Sequence, residues 1–355
     1  MEAQQPILGK SLPFRTINDV AIHFQYKSTC IEYITQLRWN GHVKCAFCGH
    51  DHVYELKGAN VRYKCASCRK HFSALKGTIF ENSTIPLAKW FMAIFIMTTH
   101  RKGISSVQVG RDIGVTQKSA WFMMQRVRNA FKNQSFTYDK IGESIKKDEN
   151  DNPIPGIVEA DETYIGGKPV NMHKKKQDAI VKRGSQRKIA VAGAVQRGGE
   201  VRLQEIEQTD YNNIVPFLVK SVHQGTKLMT DEHVAYGTMD RLYEHQTITH
   251  VLKEYVRGEV STNAIENFWS LLKRGIYGTY HFISPYHVQN YLEEFAFRFN
   301  SRDITEAQRF DKMVSLSNHR LSYQKLICHG KNKANEKKDE KRKTIAGYGR
   351  PKYPV

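Results

Sequence analysis

Four cysteines, Cys45, Cys48, Cys65 and Cys68, stand as two C-x-x-C pairs. Thiolates at that spacing converge on one cation, and four of them suit tetrahedral zinc. Strand-like stretches at residues 52–56, 61–64 and 70–73 alternate with Gly-containing turns around them, which is how a zinc ribbon reads. So few apolar residues lie nearby that a structural Zn2+ would supply much of the local folding energy. A redox C-x-x-C needs one pair and a βαβ surround, and the segment does not have that pattern. Cys30 and Cys328 stand alone.

Three acids make a second constellation. Asp161 sits in a strand-like segment, GIVEADETYIGG, where Glu159, Asp161 and Thr163 share one face and Val158, Ala160 and Glu162 the other. Asp231 follows Leu228 and Met229 near a strand end, where sites on open α/β sheets gather. Glu266 opens a helix in the stretch VSTNAIENFWSLLKRGIYGTYHF. Carboxylates gathered together need a cation to stay ionised, and hard oxygen ligands suit Mg2+ or Mn2+. Two such ions can drive in-line attack on a phosphodiester without a side-chain nucleophile. Lys273 shares the helix face of Glu266 nearly two turns on, too far to touch it, so something belongs between them.

Each acid also has an ordinary structural role open to it. Asp161 could pair with a lysine of the adjacent loop, Asp231 could open a turn, and Glu266 could close a capping box with Asn263. Phe268 and Trp269, with apolar neighbours Ile265 and Leu272, are expected to pack the helix onto the sheet.

The elements that would position these groups fall into segments. Residues 1–40 form a helical lead-in, 41–80 the ribbon, and 86–135 a helix-turn-helix. Within the last, a helix over 106–113, a Gly114-Val115 turn and a second helix from Thr116, its N-cap, expose Gln117, Lys118 and Ser119 toward base edges and phosphates. Arg126 and Arg128 are expected to track a DNA backbone, although a plain helical hairpin with a solvated basic face has the same pattern. Residues 136–156 are polar, end in prolines and read as a linker. Beyond them, strands followed by a helix, another strand and further helices indicate an α/β sheet domain over 157–302. Its helix at NNIVPFLVKSVHQG tolerates Pro216 near its start. A basic loop holding Lys174, Lys175 and Lys176 suits phosphate clamping or plain solvation. Residues 303–355 are a basic extension, with disorder expected from His329 onward.

The charge decides between partners. With 54 Lys plus Arg against 35 Asp plus Glu, the 355-residue chain carries a formal +19, which attracts a polyanion, nucleic acid foremost. No apolar run is long enough to span a bilayer, and the N-terminus does not read as a secretion signal, so a cytoplasmic protein without a membrane partner is expected.

The runs CAFC and CASC, GTIFENSTIPLAKW, VEADETYIGGK, TNAIENFWSLLKRGIYGTYHFISPYHV and EEFAFRFNSR, in this order, resemble the bacterial insertion-sequence transposases of the DDE type, ISXO-like group. The resemblance spans roughly residues 15–302 and implies an α/β ribonuclease-H-like catalytic domain preceded by a zinc ribbon and a helix-turn-helix. It also implies that Asp161, Asp231 and Glu266 hold two Mg2+ or Mn2+ ions and that Lys273 is the downstream lysine, gripping phosphate beyond the metal. The group varies at the third acid, where Asn263 and Asn267 flank Glu266. Cleavage at transposon ends, attack of the freed 3′-hydroxyl on target DNA, and a homodimer or larger assembly on that DNA are implied with it. A non-catalytic DNA-binding regulator and a structure-selective nuclease are the rival readings.

Overall fold

The computed structural model describes residues 14–56, 62–135, 140–143, 146–147, 153–154, 156–166, 188–248 and 261–327. A hydroxyl and a carboxylate set where the first helix begins. Thr16 and Asp19 form a capping box for α1 (Ile17–His23), and α2 (Lys27–Trp39) ends on left-handed Asn40. Next comes an antiparallel ribbon, β1 (Val53–Leu56), β2 (Arg62–Cys65) and β3 (His71–Ser73). Helix α3 (Leu87–Thr99) is apolar on nearly every side and correspondingly buried. Ser105 caps α4 (Ser106–Ile113), which ends on left-handed Gly114. Thr116 accepts the Ser119 N–H at the start of α5 (Gln117–Ser135), the cap expected of it.

A short ladder, β4 (Lys146–Lys147) with β5 (Pro153–Ile154), precedes the main sheet. That sheet contains β6 (Ile157–Ile165), β7 (Ile189–Gln196), β8 (Val201–Ile206), then, after α6 (Tyr211–Ser221), β9 (Lys227–Asp231) and β10 (Glu244–Ile248). Its order is β10-β9-β6-β7-β8, with β6, β7 and β8 antiparallel and β9 and β10 parallel to β6. Helices α7 (Asn263–Gly275) and α8 (Val288–Asn300) follow, then α9 (Glu306–Ser315) and α10 (Tyr323–Ile327).

Strand alternation sorts the two faces of the sheet. Val158, Ala160, Ala192 and Ala194 pack with Ile214, Phe217 and Leu218 of α6, whereas Val191 and Val195 pack with Ile265, Phe268 and Trp269 of α7 and with α8. The ribbon, α1 to α5 and α9 share a third core, where Phe310 meets Phe14 and Phe91 edge-on at centroid distances of 5.4 and 5.5 Å. Two buried arginines tie that core to the sheet unit. Glu294 of α8 accepts from Arg128 of α5 at 2.7 Å and from Arg298 on its own helix, and Tyr280 donates to it at 2.8 Å.

Several expectations need revision. Part of the basic extension belongs to the first core: Phe310 and Met313 are fully buried because α9 closes a gap between α2, α3 and α5. The linker is not all detached chain, since Ile141 is buried and bridges Val222 in parallel. Pro216 lies in the middle of α6. Cys328, the lysines at 174–176 and the tail from His329 fall outside the described residues. Among the described residues, no helix is long and apolar enough to cross a membrane.

Candidate functional site

The two cysteine pairs close on one another. All four Sγ atoms lie within 4.8 Å, and Cys45–Cys68 and Cys48–Cys65 each stand 3.6 Å apart. Tetrahedral zinc with Zn–S bonds near 2.3 Å would separate its sulfurs by about 3.8 Å, so the cluster has the size of a zinc site. Its two knuckles repeat one local fold. Gly49 N–H donates to the Cys45 carbonyl and Arg69 N–H to that of Cys65, and both donors occupy left-handed backbone. Burial raises the Cys45 thiol, but the N–H groups of Cys48 and Phe47 and the neighbouring thiols bring it down to about 6. Cys68 goes the other way: the Lys70 N–H lowers it, and burial with Cys45, Cys48 and Cys65 then carries it up to about 11. Four thiols this close cannot all ionise without a cation. Among the described residues, this is the group of ligand atoms already at metal-holding spacing.

The carboxylates lie on β6, at the end of β9 and in the first turn of α7. Glu159 pairs with Met229 where the parallel β6–β9 ladder ends, and Asp161 and Asp231 each stand two residues beyond that pair, near enough for the Asp231 charge to act on Asp161. Asp161 points toward α7. Its Oδ2 accepts from the Trp269 indole Nε1 at 2.9 Å, and its Oδ1 from the Glu162 N–H at 2.7 Å. Directly across the ladder from Asp161 is Gly193, where an added Cβ would lie 2.5 Å from the Trp269 ring. A glycine there lets the indole reach the acid.

Burial, with the charges of Asp231 and Glu266, raises the Asp161 carboxyl to about 6 against the two donors it accepts from. None of the three acids pairs with Lys or Arg among the described residues. Uncompensated carboxylates of this kind fit a hard divalent cation. The charges of Asp231 and Glu266 act on Asp161, but the three acids are not at the ready spacing of the cysteines; Asp161 accepts from Trp269, and Glu266 accepts from Thr262 Oγ1 at 3.2 Å. Asp231 also receives the His233 N–H at 3.1 Å, the turn-opening contact open to it from sequence. Thr262, not Asn263, is the N-cap of α7, so the Asn263 capping box does not form. Exposed Glu266 lies in the first turn of α7 and half-buried Lys273 in the last.

Other polar residues that sequence reading missed hold this arrangement. Glu159, buried on the same face as Asp161, accepts from the Ala264 and Ile265 N–H groups at 2.6 and 3.1 Å and pairs with Arg197 at 2.6 Å. Arg197 also donates to the Ser261 hydroxyl and carbonyl. The helix that bears Glu266 is thereby fastened by its N-terminus to the strand that bears Asp161. On the opposite face, burial raises Glu162 to about 7 although the Tyr236 hydroxyl donates to it.

At the other candidate surface, Gln117 and Lys118 are exposed and Ser119 half-buried at the start of α5. Gln117 donates to the Ser106 hydroxyl, which links α5 back to α4. The expectation for Arg126 and Arg128 fails. Both are buried: Arg126 donates to the carbonyls of Ile79, Glu81 and Leu321, and Arg128 to Glu294, so neither reaches a DNA backbone. Irregular chain packed against α5 leaves carbonyls that need donors, and the guanidinium supplies them.

Residues 153–300 match the ISXO2-like transposase domain, and residues 28–71 match the transposase zinc-ribbon domain. The chain thus carries an ISXO2-like transposase domain behind a transposase zinc ribbon. A similar protein, named as an uncharacterized protein in transposable element ISH50 of Halobacterium salinarum, is 27% identical over 256 residues, covering 68% of this chain and 80% of that one. No solved structure matches. The cysteine cluster coincides with the family's ribbon, and the carboxylates fall inside its transposase domain.

Proposed function

We propose that the protein binds insertion-sequence ends and catalyses metal-dependent DNA cleavage and strand transfer on a ribonuclease-H-like sheet. The observation that carries this reading is the register of β6 and β9, in which Asp161 and Asp231 each follow the Glu159–Met229 pair by two residues, while α7 crosses the same face with Glu266. Three antiparallel strands flanked by two parallel ones support the fold assignment.

In this reading Asp161, Asp231 and Glu266 would hold two Mg2+ or Mn2+ ions, which would supply activation of the attacking hydroxyl and charge neutralisation at the departing oxygen. Trp269 fixes the rotamer of Asp161. Lys273, about 10.5 Å along the helix axis from Glu266, meets a phosphate beyond the scissile one. Gln117, Lys118 and Ser119 bind DNA through α4 and α5 acting as a helix-turn-helix, and the lysines at 174–176 add phosphate contacts. Two ends brought together call for a dimer on DNA. Incubating the protein with Mg2+, labelled element ends and a plasmid target tests the reading. End cleavage and joined product are expected; binding without cleavage would favour a regulator, and cleavage without joining a nuclease.

A further inference from the structure

Helix α7 runs into a π-turn, Ile276–Tyr280, and the chain then reverses at His281, whose φ of 57° and ψ of −47° are uncommon for a residue with a side chain. The Phe282 N–H donates to the Tyr280 carbonyl two residues back at 2.6 Å, which makes this the strained form of γ-turn. Both sides are anchored. The Tyr280 hydroxyl donates to buried Glu294 at 2.8 Å, and Ile283 is buried in the α7–α8 core. Between these anchors Phe282 is 74% exposed, flanked by Tyr277 at 47% and Tyr286 at 55%. Strain kept in place by its surroundings, with a large ring turned to water, points to use of that ring.

Charge and position indicate what the ring meets. From Asn267 to Leu292 the chain has no Asp or Glu, while Lys273 and Arg274 stand in the last turn of α7. The Tyr277 hydroxyl donates to the Gly166 carbonyl at 3.3 Å, so the row of aromatics begins beside the end of the strand carrying Asp161. Flat apolar rings on a stretch that brings two cations and no acid of its own suit a polyanion that also presents flat apolar faces. Single-stranded nucleic acid is such a ligand, whereas paired bases hide their faces in the stack.

Resting on the transposase reading, we propose that Phe282, with Tyr277 and Tyr286 beside it, stacks on an unpaired DNA base close to the carboxylates, while Lys273 and Arg274 meet the adjoining phosphates. The full chain is titrated with two probes: a blunt duplex, and the same duplex carrying a short 3′ overhang whose first unpaired base is 2-aminopurine. The parent should favour the overhang and quench its fluorescence. Phe282→Ala should bind the overhang at least about fivefold more weakly, lose the quenching and keep its affinity for the blunt duplex, and Phe282→Trp should restore both. Equal preference and quenching in Phe282→Ala and the parent would overturn the stacking role, as would loss of self-association by Phe282→Ala with overhang binding intact. Should the parent bind neither probe, the DNA-binding reading itself fails; should it cut and join ends while ignoring the overhang, only the stacking inference falls.

Discussion

The indole Nε1 of Trp269 donates to Asp161 Oδ2 at 2.9 Å, across 108 residues of chain, and Gly193 leaves the space in which that contact forms. Removing the donor while keeping the ring isolates its effect. Trp269→Phe should slow end cleavage roughly ten- to hundredfold, since a hydrogen bond to a charged group is worth about 1.5–3 kcal/mol, with little change in melting temperature. Gly193→Ala should produce a similar loss by displacing the ring. Unaltered cleavage rates in both variants would remove Trp269 from the account.

Glu159 makes a separate prediction about assembly of the site. A buried carboxylate that holds two helix N–H groups and Arg197 should cost about 3–5 kcal/mol when truncated, because its partners are left unpaired. Urea denaturation of Glu159→Ala measures this. A cost below about 1 kcal/mol would mean that α7 is not fastened there.

Adjacent acids on α8 should respond to pH in opposite directions. Burial would raise Glu294, but Arg128 and Arg298 overcome it and hold its carboxyl at about 2. Its contribution is therefore full above the ordinary carboxylate range, near 4.5, and is lost as pH falls from there toward 2. Burial raises Glu293 to about 8 despite the Gln289 hydrogen bond, so its contribution is full below 4.5 and is lost as pH rises toward 8. Melting curves should show Glu294→Gln destabilised at neutral pH and Glu293→Gln stabilised relative to the parent above pH 8. The same sign for both at pH 8 would contradict the assignment.

Zinc content checks the ribbon. The purified chain should carry one zinc by elemental analysis, and Cys45→Ser or a strong chelator should remove it and lower thermal stability, because Cys45 and Cys65 belong to the same core as Phe72 and Tyr63. Full zinc retention by Cys45→Ser would dismiss the four-thiolate site.

Sequence spacing reached some of this directly. The cysteine knuckles are local, so C-x-x-C spacing alone brings the thiols of each pair together, and the alternation around Asp161 put Glu159 and Asp161 on one face. Contacts between distant segments were not legible in the same way. Nothing near Trp269 in sequence names Asp161 as its partner, and Gly193 looks like an ordinary small strand residue until the helix is laid across it. Arg126 misled for a physical reason: a guanidinium on a basic helix reads as solvated until the carbonyls it satisfies are seen. The closing of the first core by α9 likewise joins residues from opposite ends of the chain.

One observation weighs most heavily on the whole account. Crystals grown or soaked with Mn2+ should give an anomalous peak within bonding distance, about 2 Å, of carboxylate oxygens of both Asp161 and Asp231, lost in Asp161→Asn. Strong Mn2+ peaks elsewhere, with none between those two side chains at saturating ion, would contradict the proposed catalytic centre.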